Sequence, residues 1–170
     1  TRKTIYSIED NMFRFWYRYV FSNRTLIETG AQKVVWEKRI EPDYNSYMGL
    51  VFEKVCMDYL SVKNANGDLP ILFTSVGRWW GTNPVTHSQE EIDLVANDGK
   101  DYIFGECKWR NEKLDISVLN GLKEKADIFS KNRANTYYML FSKTGFTDSL
   151  TDKAKSDSSI ILVDLNEIMN

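Results

Sequence analysis

Apolar and polar positions alternate in several distinct rhythms along the chain. Residues 9–22 crowd Met12, Phe13, Phe15, Trp16, Tyr17, Tyr19, Val20 and Phe21 around a polar stripe of only Arg14 and Arg18, at i and i+4. This predicts a helix that is apolar almost all round and must be covered on most sides. The cover comes either from this domain or from a part of a longer protein. Residues 43–62 predict a second helix, with Pro42 before it and Asn64, Asn66 and Gly67 behind it. A turn at Asn66, Gly67 and Pro70 leads to a strand over 71–76. Residues 77–89 read as a loop rich in Gly, Asn and Pro that holds Trp79 and Trp80. Strands over 90–96 and 102–109 flank Asn97, Asp98 and Gly99, a hairpin signal. Leu119, Leu122, Ala126 and Phe129 recur at helical spacing and predict an amphipathic helix over 115–131. An aromatic strand over 136–142, a short helix near 147–156 and a strand over 160–164 complete the chain. This order predicts an α/β or α+β sheet flanked by helices.

A length of 170 residues suits one compact domain. Hydrophobic residues at 42% and aromatics at 14% supply a large core. No apolar run approaches the ~20 residues of a membrane helix, and no secretory signal is visible. A cytoplasmic protein without a membrane partner is expected. The chain begins at Thr1 rather than Met, which suggests a piece of a longer protein. With 22 Lys and Arg against 24 Asp and Glu, a uniformly basic nucleic-acid binder is excluded. The charge is unevenly placed: residues 81–106 hold one Lys against six acids, and residues 107–143 hold eight Lys and Arg against four acids. An acidic site beside a basic helix suits a nuclease, and surface ion pairs give the same pattern.

Cys56 and Cys107 make neither a disulfide framework nor a zinc site. His87 is the only histidine, which rules out His-rich metal sites, and a Ser-His-Asp or Cys-His mechanism is not expected. No phosphate-binding or dinucleotide-binding glycine motif occurs.

The hairpin carries the informative chemistry. Its strands contain Glu91, Ile92, Asp93 and Leu94, then Gly105, Glu106, Cys107, Lys108 and Trp109. Side chains alternate along a strand, so Glu106 and Lys108 share a face. If Asn97 pairs with Tyr102, Asp93 lies opposite Glu106, with Cβ atoms ~5 Å apart. Two adjacent carboxylates repel unless a cation is present. Lys108 is one candidate cation, and a divalent metal is another, since Mg²⁺ takes one or two carboxylates with waters and phosphate oxygens. Such a set suits metal-assisted phosphodiester hydrolysis. The same residues also read as a solvated strand face with an acid pair softened by a lysine. Glu53 adds a third acid. It falls on the apolar side of helix 43–62, beside Cys56, Met57 and Leu60, so it either snorkels at the edge or faces a polar pocket.

Asp93, the Glu106-Cys107-Lys108 strand and a preceding helical Glu53 resemble the PD-(D/E)XK nuclease superfamily. The resemblance sharpens over residues 13–18, 49–53, 77–81, 91–93, 105–109 and 141–146. These are similar to the C-terminal domain, of unknown function, of prokaryotic AAA-type ATPases of the archaeal-ATPase group. Six separated motifs in order make the match specific. The residue before Asp93 is Ile92 rather than the Pro of the motif's name. The resemblance implies a restriction-endonuclease-like fold over residues 41–170, behind a helical N-terminal segment at 1–40. It implies Mg²⁺ or Mn²⁺ at Asp93, Glu106 and Glu53, with Lys108 as catalytic lysine. It further implies DNA as substrate and an N-terminal ATPase domain in the longer protein. Homo-oligomers would fit such a protein.

Arg78, Trp79, Trp80, Arg110 and Lys125 are the candidates for nucleic-acid contact. Trp79 and Trp80 fit base stacking or core plugging, and Arg78 fits a phosphate or a nearby acid. By the resemblance Lys125 matches a further basic position of some superfamily members; from its place at the edge of its helix's apolar stripe, solvation is expected. The rival functions are a non-catalytic DNA-binding module and an oligomerisation domain.

Overall fold

The computed structural model describes residues 8–129 and 133–170. They form two compact units, Thr1–Val51 and Phe52–Asn170. The division falls between Val51 and Phe52.

The first unit is helical. Helix α1 (Asn11–Phe15) starts at Asp10, whose carboxylate accepts the Phe13 N–H at 2.9 Å and so satisfies one of the unpaired amides of the first turn. The chain continues as a π-type turn over Trp16–Val20 and a 3₁₀ turn over Phe21–Asn23. Helices α2 (Arg24–Glu28) and α3 (Gln32–Val35) follow, then a second π-type turn over Trp36–Ile40. Tyr19, Val35, Ile40 and Tyr47 form a small core against Phe15, Ile27 and Tyr44. The expected cover over the aromatic helix is incomplete: Met12, Phe13, Tyr17 and Phe21 remain exposed.

Helix α4 (Glu41–Asn66) carries Tyr44 and Tyr47 in the first unit and Phe52, Cys56 and Leu60 in the second. Pro42 lies in its first turn, where a missing N–H is harmless. Gly67, at φ +74°, ends it in the left-handed region, and the Asp68 N–H closes on the Lys63 carbonyl at 3.0 Å.

The second unit is a five-stranded mixed sheet flanked by helices, the α/β architecture expected. Its order is β1 (Ser75–Thr82), β2 (Gln89–Asn97), β3 (Tyr102–Lys108), β4 (Thr136–Ser142), β5 (Ile160–Asp164). The first three strands are antiparallel neighbours, and β3, β4 and β5 run parallel. Helices α5 (Ile116–Phe129) and α6 (Asp148–Ser156) make the parallel crossovers. They cover one face with Leu119, Leu122, Ala126 and Leu150, against Ile92, Val95, Phe104 and Leu140. Helix α4 and the terminal α7 (Leu165–Met169) cover the other, against Leu94, Ala96, Ile103, Cys107 and Phe141. The helix predicted to 131 is described to Phe129, and positions 130–131 lie outside the described residues.

The β2–β3 turn shows why the hairpin was readable. Asp98 Oδ1 accepts the N–H groups of Lys100 and Asp101 at 2.9 Å, and Gly99 takes φ +98°. Asn97 pairs with Tyr102, the register that a four-residue loop gives.

One element departs from expectation. The strand predicted over 71–76 is irregular up to Thr74, and the predicted loop at 77–82 is strand β1. The loop proper is 83–88, with exposed His87 at φ +57°. Gly77 and Gly81 imitate a turn in the sequence, but Gly81 leaves room for the ring of Trp79, which a Cβ there would overlap.

Candidate functional site

The site grows from a bulge in β2. Gly77 pairs with Val95 and Trp79 with Ile92, so Asp93 and Leu94 together oppose Arg78 alone. A bulge breaks the alternation of faces and re-aims a side chain. Accordingly Ile92 and Val95 both join the α5-side core, while Leu94 joins the α4-side core. Gly105 makes room for that arrangement: a Cβ there would meet the Leu94 Cβ at 2.9 Å.

Asp93 and Glu106 are 9% and 5% exposed, an unusual burial for two acids on neighbouring strands. Asp93 Oδ2 accepts the backbone N–H of Cys107 at 2.8 Å. Burial, and then the charge of Glu106, hold the Asp93 carboxyl above its ordinary value. The Cys107 amide, Lys108 and Lys125 pull it the other way.

Glu106 is the hub. Its Oε1 accepts from Lys108 Nζ at 2.5 Å, and Lys125 Nζ lies 3.2 Å from Oε1 and 3.1 Å from Oε2. Burial lowers the Lys108 pKa, but the attraction of Glu106 and the hydrogen bond to it outweigh burial and leave it raised. Lys125 therefore departs from the solvated position expected of it. It stands three residues after Leu122 and one before Ala126, close enough to the buried stripe of α5 to reach inward. That adjacency was the available signal in the sequence.

Glu106 and Lys108 lie at the carboxyl end of β3, where it pairs in parallel with Leu140 and Ser142 of β4. Carboxyl ends of parallel strands are the usual location of ligand sites in open α/β sheets. Just beyond, Arg110 Nε is buried without a hydrogen-bond partner among the described residues.

The other candidates are placed differently. Glu53, on α4, forms an ion pair with Arg78 of β1, whose guanidinium also lies 3.7 Å from Glu91. Arg78 therefore faces acids. No group of three or more His, Cys, Asp or Glu side chains placed to hold a metal occurs among the described residues. Glu106 thus carries both lysines, Asp93 beside it carries the Cys107 amide, and Glu53 has a cation of its own. Trp79 is partly buried and meets Phe129 edge to face at 5.5 Å. Trp80 is 63% exposed, with Arg78 6.0 Å from its ring centre. Trp79 thus takes the core position, and Trp80 lies on the surface. Cys107 packs into the α4-side core, and burial, then a hydrogen bond with Cys56, push its thiol well up.

With this geometry in place, the comparisons define the class. Residues 16–126 match a family described as archaeal and bacterial proteins of unknown function, DUF234, and the chain belongs to that family. A curated relative is an uncharacterized protein of Methanocaldococcus jannaschii, 34% identical over 171 residues. The alignment takes in 98% of this chain and 35% of that protein, so the chain spans about a third of its relative's length. No solved structure matches. No helix among the described residues is long and apolar enough to cross a membrane.

Proposed function

We propose that this chain is a divalent-metal-dependent nuclease domain of the PD-(D/E)XK type that hydrolyses DNA phosphodiesters. In the longer cytoplasmic protein it would follow an N-terminal ATPase domain. The observation that carries the reading is the buried pair Asp93 and Glu106 on adjacent strands, with Lys108 and Lys125 converging on Glu106.

The donor set fits the metal that such a nuclease needs. Two hard carboxylates, one of them held protonation-prone by burial and by its neighbour's charge, make the field that Mg²⁺ or Mn²⁺ relieves. Asp93 and Glu106 would hold it. A bound divalent ion supplies Lewis-acid polarisation of the phosphodiester. The chain's own groups then have separable tasks. Lys125 shares with Lys108 the charge of Glu106. The Lys108 ammonium orients the nucleophile and offsets negative charge developing on phosphate. The Cys107 amide fixes the direction of Asp93. Glu53 holds Arg78 in place beneath Trp80, whose open ring offers a stacking surface for a base.

A second reading has its own observation. Glu106 is already satisfied by two lysines and Glu53 by Arg78. A closed charge network of this kind suits a non-catalytic DNA-binding or oligomerisation module of the same ATPase. Cleavage of labelled single-stranded, duplex and branched DNA separates the two, run with Mg²⁺ or Mn²⁺, with EDTA, and with Lys108→Ala. The nuclease reading expects cutting that needs the metal and is lost in the variant. Absence of cutting, together with absence of calorimetric Mn²⁺ binding dependent on Asp93 and Glu106, overturns it in favour of the module.

A further inference from the structure

The first unit contains a cavity that the hydrolytic reading leaves unused. It has a volume of about 350 Å³ and is lined by Ile8, Arg14, Tyr17, Arg18 and Tyr47. That is a typical size for a small-ligand pocket, which runs from about 300 Å³ upward. Its two cations are not equivalent. Arg18 is committed: its Nε and Nη2 lie 2.8 and 2.6 Å from Asp43 Oδ2, which also accepts the Tyr19 hydroxyl at 2.6 Å. Those two hydrogen bonds, from Tyr19 first and then Arg18, lower the Asp43 pKa, so this pair stays ionised and neutral overall. Arg14 meets the Tyr47 ring at 5.9 Å and has no carboxylate partner among the described residues. Arg14 is therefore the lining cation that the described ion pairs leave unengaged.

Its aromatic walls are held in place. The Tyr47 hydroxyl donates to the Asn11 carbonyl at 2.6 Å, and its ring packs edge-on against Phe15 and Tyr19. Tyr17 is 49% exposed, and its ring is braced by Trp16 at 4.9 Å and Phe21 at 5.7 Å. The π-type turn at Trp16–Val20 carries Tyr17 and Arg18, and such turns recur at functional sites. A fixed cation beside a braced, half-open aromatic face suits a ligand that is anionic at one end and planar at the other.

We propose that this cavity binds a nucleoside phosphate, with the phosphate on Arg14 and the base on the Tyr17 ring. The ligand is a free nucleotide or the phosphorylated end of a single strand, since both present the same chemistry.

The test uses the full chain in EDTA, so that no cleavage intervenes. Calorimetry compares thymidine monophosphate with thymidine. Fluorescence anisotropy compares a labelled oligothymidylate bearing a 5′-phosphate with its 5′-hydroxyl counterpart. The phosphorylated ligand should bind and its unphosphorylated partner should bind at least tenfold more weakly. Arg14→Ala should weaken binding about ten- to a hundredfold, the range of a charge-assisted hydrogen bond. Tyr17→Ala should weaken it and Tyr17→Phe should not. Equal affinity for mononucleotide and oligomer assigns a free nucleotide, and a tighter, phosphate-dependent oligomer assigns a strand end. Binding unaffected by the phosphate or by Arg14→Ala, in a variant whose melting temperature matches wild type, overturns the proposal. So does absence of binding at millimolar concentration. Lys108→Ala separates the two sites: binding lost with Arg14→Ala and not with Lys108→Ala belongs to this cavity, and binding lost with Lys108→Ala alone belongs to the hydrolytic site and overturns the proposal.

Discussion

Glu106→Gln is the sharpest probe of the charge network. The Glu106 side chain is 7% exposed, and its lysine partners are 35% and 26% exposed. Two unit charges 3.1 Å apart attract by roughly 5 kcal/mol at an effective dielectric of about 20, but desolvation has already consumed much of that. Removing one member of a buried pair costs about 3–5 kcal/mol because the remaining charge is left uncompensated. Here the lysine ends reach solvent, and Gln keeps an acceptor oxygen. The lower end, about 3 kcal/mol, is therefore expected. For a chain of this length that corresponds to a fall of about 6–12 °C in melting temperature. Circular dichroism with heat and urea, at pH 7 in EDTA, measures it. Adding Lys125→Met to Glu106→Gln should recover about 1 kcal/mol, because one stranded charge is then removed with its partner. A loss below about 0.5 kcal/mol, or strict additivity of the two substitutions, would refute a coupled buried network.

Asp93→Asn has a defined sign. The Asp93 pKa is raised in the fold, so its stabilising effect is full below the ordinary value of 3.8 and is lost as pH rises through the folded value. Ionised Asp93 thus opposes folding at neutral pH. The Asn variant should be the more stable at pH 7 in EDTA, with the advantage shrinking towards pH 4; a constant difference across that range would contradict the assignment. Gly105→Ala should cost about 1–3 kcal/mol, since both the new Cβ and the Leu94 Cβ are fixed to backbone, as urea titration would show. Trp79→Ala should cost about 2–4 kcal/mol through the lost packing on Phe129, whereas Trp80→Ala should stay within about 0.5 kcal/mol. Comparable melting temperatures for the two would mean that the core and surface roles are misassigned.

What the sequence disclosed follows from the range of the signals. The β2–β3 hairpin was legible because its register rests on Asp98 and Gly99, inside the turn itself. Helix α5 was legible from Leu119, Leu122 and Ala126, which report one face at one period. Strand β1 was hidden because Gly77 and Gly81 carry a turn signature, while the space Gly81 leaves is for a tryptophan two residues earlier. The bulge at Asp93 was also hidden. It is a mismatch between two strands, and no window on β2 alone contains it. Lys125 was placed on the correct helix but given to solvent, because its partner Glu106 is nineteen residues away on another element. Residues 24–40 carried no assigned elements, and their helical turns are only four or five residues long.

The order in which the charges meet also bears on how the chain folds. Asp93 and Glu106 belong to one hairpin, whose closure is local and quick, while Lys125 arrives only with the crossover helix that precedes the parallel half of the sheet. The repulsion between the acids is therefore felt early in folding and its second neutralising charge late. A chain with Asp93 protonated should fold faster than one with it ionised, so mild acid should lift the refolding arm of a chevron plot more than it changes the unfolding arm.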